Sequence, residues 1–272
     1  MITSSANQQI KHLSQLMKKA KERKKEQVFV VEGIKMFREA PKDAVQAVYV
    51  SESFLEKPQH VSCLQDSTYE VVSDSVFKEI SDTQTPQGIL AVVRMPEYEL
   101  SDLLQGKNTH LLILESVQDP GNLGTMVRTG EGAGITGIIM NKTTVDLFNP
   151  KTIRSTMGSI YRVPYLITAD LPELLHTLQE AGVKLYAAHL RGNTYYDAFD
   201  FTGACGFLIG NEGNGLSDEI AECADDYLKI PMDGNVESLN AAVSAALLMY
   251  ECRRQRSSCH KKVRESAGQL RR

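Results

Sequence analysis

The sequence predicts an α/β protein whose larger, C-terminal part contains a mostly parallel sheet, preceded by a smaller α/β domain. Short apolar runs alternate with helical patterns along nearly the whole chain of 272 residues. Two apolar runs in the C-terminal half end in loops rich in glycine and asparagine. Strand and helix alternation of this kind favours parallel strands covered by helices on both faces of the sheet.

Residues 1–95 are predicted to form the small domain. Its first element is a helix over residues 10–26 that is apolar early and strongly basic late. Strands are predicted at 28–31, 45–50, 69–72 and 88–94, and helices at 34–40, 51–55 and 73–80. Residues 96–106 are acidic and begin with Pro96, which predicts a linker.

The second domain is predicted to span residues 107–255, with residues 256–272 as a basic tail. Its strands are predicted at 111–114, 137–140, 163–167, 183–188, 207–209 and 227–230. Helices are predicted at 123–133, 149–157, 171–181, after Ser217, and at 237–253.

Two of the loops in this domain predict a ligand pocket. The apolar strand that ends at Ile209 runs into three glycines and two asparagines, and Ser217 then caps a helix. A second loop follows the strand ending at Ile230 and extends to Asn240. The glycine order is G-x-x-G-x-G, which differs from the dinucleotide fingerprint, and the chain has no P-loop motif. The pocket therefore requires another kind of ligand.

Charge content leaves two interpretations of the chain ends open, and cysteine content predicts an intracellular protein. The net charge is −4, but residues 1–27 carry +5 and residues 253–272 carry +7, which leaves −16 between them. The basic ends hold a polyanion or serve as solubilising tails. Five cysteines without a C-x-x-C pair favour a reducing compartment, and the histidines lack metal-ligand spacing, so no metal is assigned. Without a long apolar run or signal sequence, we expect a cytoplasmic protein with no membrane association.

Three stretches stand in a recognisable order: 119–129 (DPGNLGTMVRT), 149–164 (NPKTIRSTMGSIYRVP), and 208–213 (LIGNEG) together with 230–232 and 237–242. They resemble the motifs of the SpoU (TrmH) family of RNA ribose methyltransferases. The resemblance covers roughly residues 110–252. Residues 9–95 resemble, more weakly, the RNA substrate-binding domain that precedes the methyltransferase domain in this family.

The resemblance implies a SPOUT fold with a trefoil knot, a homodimer, and S-adenosylmethionine as cofactor. By matching positions, it assigns cofactor contacts to Leu190, Gly210, Asn211, Ile230 and Leu239. It also implies that RNA is bound by basic side chains, for which the candidates are Lys11, Arg23, Lys24, Lys25, Arg154 and Arg162. Arg154 and Arg162 have an alternative role, which is pairing with acidic residues of the protein.

The same resemblance places Arg128 at the centre of the reaction. Two roles stay open for Arg128: a base that accepts the proton of the ribose hydroxyl, or a cation that positions the nucleophile and a phosphate. Asn122 orients the substrate or Arg128, or caps its helix, and Glu212 fixes a loop or Arg128. Ser238 and Asn240 line the reaction centre.

The function predicted from these residues is methyl transfer to a ribose 2′-hydroxyl of structured RNA, with ribosomal RNA favoured over transfer RNA. A methylase that protects a drug site on the ribosome shares this chemistry. A non-catalytic RNA-binding assembly protein is the alternative from another class. Intact Asn122, Arg128, Glu212, Ser238 and Asn240 argue against the latter.

Overall fold

A computed structural model describes residues 1–65 and 67–269, with side chains up to residue 258. The chain divides into two compact units. The first contains Met1–Glu97 and Asp146–Arg162, and the second contains Tyr98–Val145 and the chain from Val163 onward. In the described part, no helix is both long and apolar enough to cross a membrane.

Twelve helices and eleven strands alternate along the described residues. The helices are α1 (Gln8–Lys18), α2 (Ala20–Glu26), α3 (Ile34–Glu39), α4 (Glu52–Leu55), α5 (Pro58–Val61), α6 (Asp74–Ile80), α7 (Leu100–Leu103), α8 (Pro120–Ala133), α9 (Pro150–Thr156), α10 (Leu171–Glu180), α11 (Asp218–Glu222) and α12 (Ala241–Gln269). The strands are β1 (Val28–Glu32), β2 (Val45–Ser51), β3 (Glu70–Val72), β4 (Ile89–Arg94), β5 (His110–Leu114), β6 (Gly137–Asn141), β7 (Tyr165–Thr168), β8 (Lys184–Ala188), β9 (Thr194–Tyr195), β10 (Cys205–Ile209) and β11 (Asp226–Lys229).

The predicted single helix over 10–26 is wrong, because the chain breaks at Lys19. Lys19 is extended, with φ −120° and ψ 111°. The Nη1 group of Arg23 donates to the carbonyl oxygens of Leu16 and Met17, at 2.6 and 3.1 Å. These carbonyls lie in the last turn of α1 and have no partner within that helix, so Arg23 stabilises the break.

The first unit is built on a four-stranded sheet in the order β1-β4-β2-β3, in which only β2 and β3 are parallel. Residues 146–162, which the sequence analysis placed in the second domain, pack in this unit. Phe29 of β1 lies 4.8 Å from the ring of Phe148 and 6.2 Å from that of Tyr161. The Tyr161 hydroxyl donates to the Met36 carbonyl oxygen at 2.9 Å. Residues 149–162 of the second resembling motif are therefore part of the first unit.

The second unit contains a seven-stranded sheet in the order β7-β6-β5-β10-β8-β11-β9. All of its strand pairs are parallel, which confirms the predicted sheet. Strands β5 and β10 lie at the centre and are wholly buried, as their uninterrupted apolar runs require. Since the strands are parallel, the loops that follow β5, β8, β10 and β11 meet at one edge.

Two segments of this unit differ from the sequence expectation. The predicted linker contains helix α7, whose Leu103 is fully buried in the core of the second unit. Helix α12 starts at Ala241 rather than residue 237 and continues to Gln269 through most of the predicted tail. Arg256 donates to the carbonyl oxygens of Phe201 and Gly203, which anchors the extension to the unit. Residues 270–272 of the predicted tail lie outside the described residues.

Candidate active site

A cavity of about 410 Å³ lies at the carboxyl edge of the parallel sheet. Three loops form it, following β8, β10 and β11, and the start of α12 closes one side. All five residues predicted to contact the cofactor line this cavity: Leu190, Gly210, Asn211, Ile230 and Leu239. Glu212 and Ser238 line it as well. The structure thus brings together residues separated by about 50 positions in the chain.

The cavity depends on a close approach of two backbone segments at Gly210. A Cβ atom on Gly210 would lie 2.0 Å from the carbonyl carbon of Gly215 and 2.1 Å from the nitrogen of Leu216. Asn211 and Gly215 also exchange backbone hydrogen bonds of 2.9 Å in both directions. Gly215 itself has a φ of +71°, in the left-handed region that favours glycine. The loop is therefore a tight ring that only glycine allows at position 210.

Residues at the end of β5 hold this ring in place. The Glu115 carboxylate accepts from the backbone N–H of Ser217 at 2.8 Å and from its hydroxyl at 2.6 Å. The side-chain amide of Asn211 donates to the Ser116 carbonyl oxygen at 2.9 Å, while its oxygen accepts from the N–H of Gly213 at 2.9 Å. Ser116 has a φ of +55°, which is uncommon for a serine. The loop after β5 and the loop after β10 therefore form one hydrogen-bonded assembly.

Glu212 connects this assembly to the start of α8. Its carboxylate accepts from the N–H groups of Gln118 and Asp119, at 2.9 and 3.0 Å. The side-chain amide of Asn122 also donates to it, at 3.0 Å. Partial burial alone would raise the pKa of Glu212, but the bonds from Asn122, Gln118 and Asp119 together lower it below its usual value. Glu212 is thus an ionised acceptor that holds the N-terminus of α8.

Asn122 and Asn240 continue the same chain of hydrogen bonds. The side-chain amide of Asn240 donates to the Asn122 side-chain oxygen at 3.0 Å. The Asn240 oxygen accepts from the N–H groups of Ala242 and Val243, so Asn240 caps α12. Asn122 does not cap its own helix, because Asp119 holds that position and accepts from the Asn122 N–H at 2.8 Å. The Asn122 amide therefore has a fixed orientation between Glu212 and Asn240.

Arg128 and Ser238 are not tied into this network. Arg128 lies on α8 and is exposed, and its guanidinium makes no hydrogen bond or ion pair with the residues that the structure describes. Six helical positions separate it from Asn122, which amounts to about 9 Å along the axis and about 120° around it. Arg128 thus does not share a helix face with Asn122. Ser238 is exposed at the cavity wall.

The predicted RNA contacts divide into exposed lysines and paired arginines. Arg23 contradicts its prediction: it is only 3% exposed, and its guanidinium binds Asp146 as well as the carbonyl groups at the end of α1. Arg154 pairs with Asp82 at 2.7 Å, and Arg162 with Glu39 at 2.8 Å. The remaining candidates are exposed: Lys11, Lys24 and Lys25.

Sequence reasoning missed most of the supporting residues. Glu115 directly follows the apolar strand β5, and Asn141 is the last residue of the apolar strand β6. The side-chain oxygen of Asn141 accepts from the Ser116 N–H at 2.9 Å. A polar residue directly after a buried parallel strand is the signal that indicates such a role. His189, Arg191 and Met232 also line the cavity, but their sequence surroundings gave no comparable signal.

Comparison with known proteins assigns the chain to a family. Residues 109–250 match the family model described as SpoU rRNA Methylase family. The chain belongs to the SpoU rRNA methylase family. Residues 7–91 match the model of an MRM3-like substrate binding domain. The 23S rRNA (guanosine(2553)-2'-O)-methyltransferase RlmP of Bacillus subtilis (strain 168) is 35% identical over 254 residues, which are 93% of this chain and 98% of that protein.

Solved structures agree with this assignment. An AdoMet-bound rRNA methyltransferase from Sinorhizobium meliloti has a TM-score of 0.82 and 30% identity, covering 93% of this chain and 97% of that one. The SpoU methyltransferase AviRb from Streptomyces viridochromogenes, in complex with the cofactor AdoMet, has a TM-score of 0.84 and 26% identity. The match covers 93% of this chain and 99% of that one. The protein is thus an RNA methyltransferase, and its cofactor is S-adenosylmethionine. The predicted family, enzyme class and cofactor are confirmed.

Proposed function

We propose that this SpoU methylase transfers a methyl group from S-adenosylmethionine to the ribose 2′-hydroxyl of one nucleotide in 23S rRNA. The observation that carries this proposal is the hydrogen-bonded chain Glu212–Asn122–Asn240, which joins the cavity wall to the start of α8. The likeness to RlmP over nearly the full length of both chains supports ribose as the acceptor and 23S rRNA as the target.

The cavity fits the cofactor. Its volume of about 410 Å³ lies within the range of about 300–1,000 Å³ typical of small-molecule sites. Leu190, Ile230 and Leu239 supply apolar surface, and the ring at Gly210 presents main-chain groups without a side chain between them. Bound there, S-adenosylmethionine supplies an electrophilic methyl group.

The residues around the cavity then act on the RNA. Asn122 and Asn240 are held with fixed amide orientations beside the cavity, where they orient the acceptor nucleotide. We assign Arg128 to positioning of the nucleophile and its neighbouring phosphate, because a guanidinium in a protein keeps its proton and cannot accept another. Ser238 lines the reaction centre.

Exposed lysines of the first unit contribute electrostatic affinity. Lys11, Lys24 and Lys25 are exposed on α1 and α2, within the region that matches a substrate-binding domain. Arg154 and Arg162 would contact RNA phosphates by exchanging a carboxylate partner for a phosphate, and their roughly half-exposed side chains allow this. Arg23 has a structural role instead.

The active form is proposed to be a knotted homodimer in the cytoplasm. Val243, Leu247 and Tyr250 form an apolar stripe on α12 with exposed fractions of 46, 36 and 47%. An exposed stripe of this kind suits burial against a second copy. Cys205 and Cys252 lie with their sulfur atoms 3.7 Å apart as free thiols, which suits a reducing compartment.

The dimer proposal predicts that Leu247→Asp converts the protein to a monomer, because a carboxylate would be buried in the apolar interface. Light scattering after size exclusion gives the mass directly. Ile167→Asp is the matched control, since Ile167 is also an exposed apolar residue, at 39%, but lies on β7. A monomeric wild type, or equal effects of both variants, would contradict the proposed interface.

The proposed reaction is tested by mapping ribose methylation of 23S rRNA from cells with and without the gene. We expect one site to lose its 2′-O-methyl group in the deletion strain and to regain it when the purified enzyme acts on the unmodified rRNA. Methylation on a base, or on transfer RNA alone, would refute the proposed substrate.

A third prediction concerns the pH dependence of the Glu212 network. Because the folded-state pKa of Glu212 is lowered, its ionised bonds stabilise the fold above the ordinary glutamate pKa and are lost as the pH falls through the folded-state value. Because Glu212 is exposed and solvent screens its charge, Glu212→Gln should be less stable than wild type by no more than about 1 kcal/mol near neutral pH, with the difference vanishing in acid. Urea unfolding from about pH 7 to pH 3 measures this. Glu180→Gln, an exposed change on α10, should show no such difference at any pH. A pH-independent difference for Glu212→Gln would indicate that the carboxylate charge is irrelevant.

A further inference from the structure

A second cavity, of about 440 Å³, lies within the first unit. Its walls come from the end of α3 and the turn after it, the first half of β2, and the segment after α5. Neither the family models nor the relatives assign a role to it. The predicted RNA contacts on α1 and α2 do not line it.

The charge and polarity of this cavity suit an anionic ligand. Arg38 and Lys42 line it and are both exposed. None of its described lining residues is acidic. Its other polar side chains are two amides and three hydroxyls: Gln46, Gln65, Ser62, Ser67 and Thr68.

One wall of the cavity is an open strand edge. Strand β3 pairs with β2 only at Tyr49, Val50 and Ser51. On that side of β2, Val45–Val48 have no neighbouring strand among the described residues. The register of β2 against β4 also shifts between Val45 and Ala47. The exposed edge offers backbone N–H and C=O groups that require partners.

Arg38 and Cys63 both line this cavity. The positive charge of Arg38 acts on the Cys63 thiol. Burial raises the pKa of Cys63, and Arg38 offsets this only in part. The cavity therefore holds a protonated thiol near the cationic side chain of Arg38.

We propose that this cavity binds one unpaired nucleotide of the RNA substrate. The base edge meets the open backbone edge of β2, and the phosphate lies on Arg38 and Lys42. Unstacked bases in RNA loops present donors and acceptors along their edges, which a strand edge can match. This inference rests on the proposed action on rRNA and assigns the first unit a specific role in recognising the substrate.

Kinetics of methyl transfer to 23S rRNA provide the first test. For the double variant Arg38→Ala, Lys42→Ala, we expect KM for RNA to rise about 10-fold with kcat within about 2-fold, because the reaction centre is untouched. The slope of log affinity against log salt should fall by about 1.4, the value for two lost contacts to a single strand. The matched control is Lys57→Ala, Lys78→Ala, which removes two exposed cations of the same unit that do not line the cavity. Equal changes in both double variants would overturn the site, since they would show that only net charge matters.

Alkylation of Cys63 in the wild type provides the second test, with peptide mass mapping as the readout. At a pH above about 8.5, where the thiolate forms, saturating rRNA should slow Cys63 alkylation at least 5-fold. Cys223, a partly exposed thiol of the second unit, reports non-specific slowing. Fully paired RNA and inorganic phosphate should not protect Cys63. Equal protection by inorganic phosphate would show that the cavity binds anions in general, and it would overturn the proposal that the cavity binds a nucleotide.

The outcomes separate this inference from the proposed function. If the wild type methylates rRNA but the RNA leaves Cys63 alkylation unchanged, the cavity does not bind a nucleotide and the inference fails alone. If the wild type methylates no rRNA, the proposed function fails first.

Discussion

The Arg128→Lys variant is expected to transfer methyl groups at least ~100-fold more slowly than the wild type, with the affinity for S-adenosylmethionine nearly unchanged. Lysine keeps the positive charge but loses the planar fork that holds two acceptors at once. Arg128 does not line the cavity proposed to bind the cofactor, so its replacement should leave cofactor binding intact. Single-turnover methyl transfer, measured beside cofactor calorimetry, tests this expectation.

The pH dependence of the same variant distinguishes the two roles of Arg128. If Arg128 acts as a base, the rate of Arg128→Lys should rise as the pH approaches the lysine pKa of about 10.4, because neutral lysine accepts a proton. If Arg128 positions an anion, the rate should stay level and then fall as the charge is lost. Arg94→Lys, an exposed arginine of the first unit, is the control and should transfer normally. Near-normal transfer by Arg128→Lys would remove Arg128 from the mechanism.

The Gly210→Ala variant is expected to lose cofactor binding entirely. Its Cβ would overlap two backbone atoms, lying 2.0 Å from the carbonyl carbon of Gly215 and 2.1 Å from the nitrogen of Leu216, far inside van der Waals contact. A backbone segment cannot move aside as a flexible side chain does, so the ring must open. We expect no measurable heat of S-adenosylmethionine binding, and a loss of stability of roughly 3 kcal/mol or more in the second unit.

Gly213→Ala provides a matched control for this loop. A Cβ there would meet only the side-chain oxygen of Asn211, at 3.5 Å, which is an ordinary contact. This variant should bind S-adenosylmethionine with wild-type affinity. Normal binding by Gly210→Ala would show that the cofactor site lies elsewhere.

Local sequence patterns were sufficient to predict most of the helices and strands and the loops that form the pocket. Uninterrupted apolar runs predicted β5 and β10, because a strand buried on both faces has no polar positions. Ser217 was predicted as a cap, and its hydroxyl accepts from the Ile220 N–H at 3.3 Å. The glycine-rich loop after Ile209 predicted a pocket, and residues of this loop line the cavity of about 410 Å³.

Contacts between distant residues decided the rest, and no local pattern encodes them. The bond from Asn122 to Glu212 spans 90 positions, and the bond from Asn240 to Asn122 spans 118. Either asparagine taken alone is only a good capping residue. Their shared orientation arises because parallel strands bring the ends of separate loops to one edge of a sheet.

Arg23 shows that a local sequence pattern also cannot predict whether a charged side chain is exposed or paired within the protein. Arg23 lies in a run of basic residues, and this run predicts surface cations that bind RNA at Arg23, Lys24 and Lys25. In the folded chain Arg23 pairs with Asp146, 123 positions away, and supplies the partners that the last carbonyls of α1 lack. The sequence by itself determined the family, the parallel sheet and the identity of the cofactor. Tertiary structure alone decided which polar groups face the cavity and which form hydrogen bonds within the protein. The reason is that each polar group bonds to the partners that the fold brings within hydrogen-bonding distance.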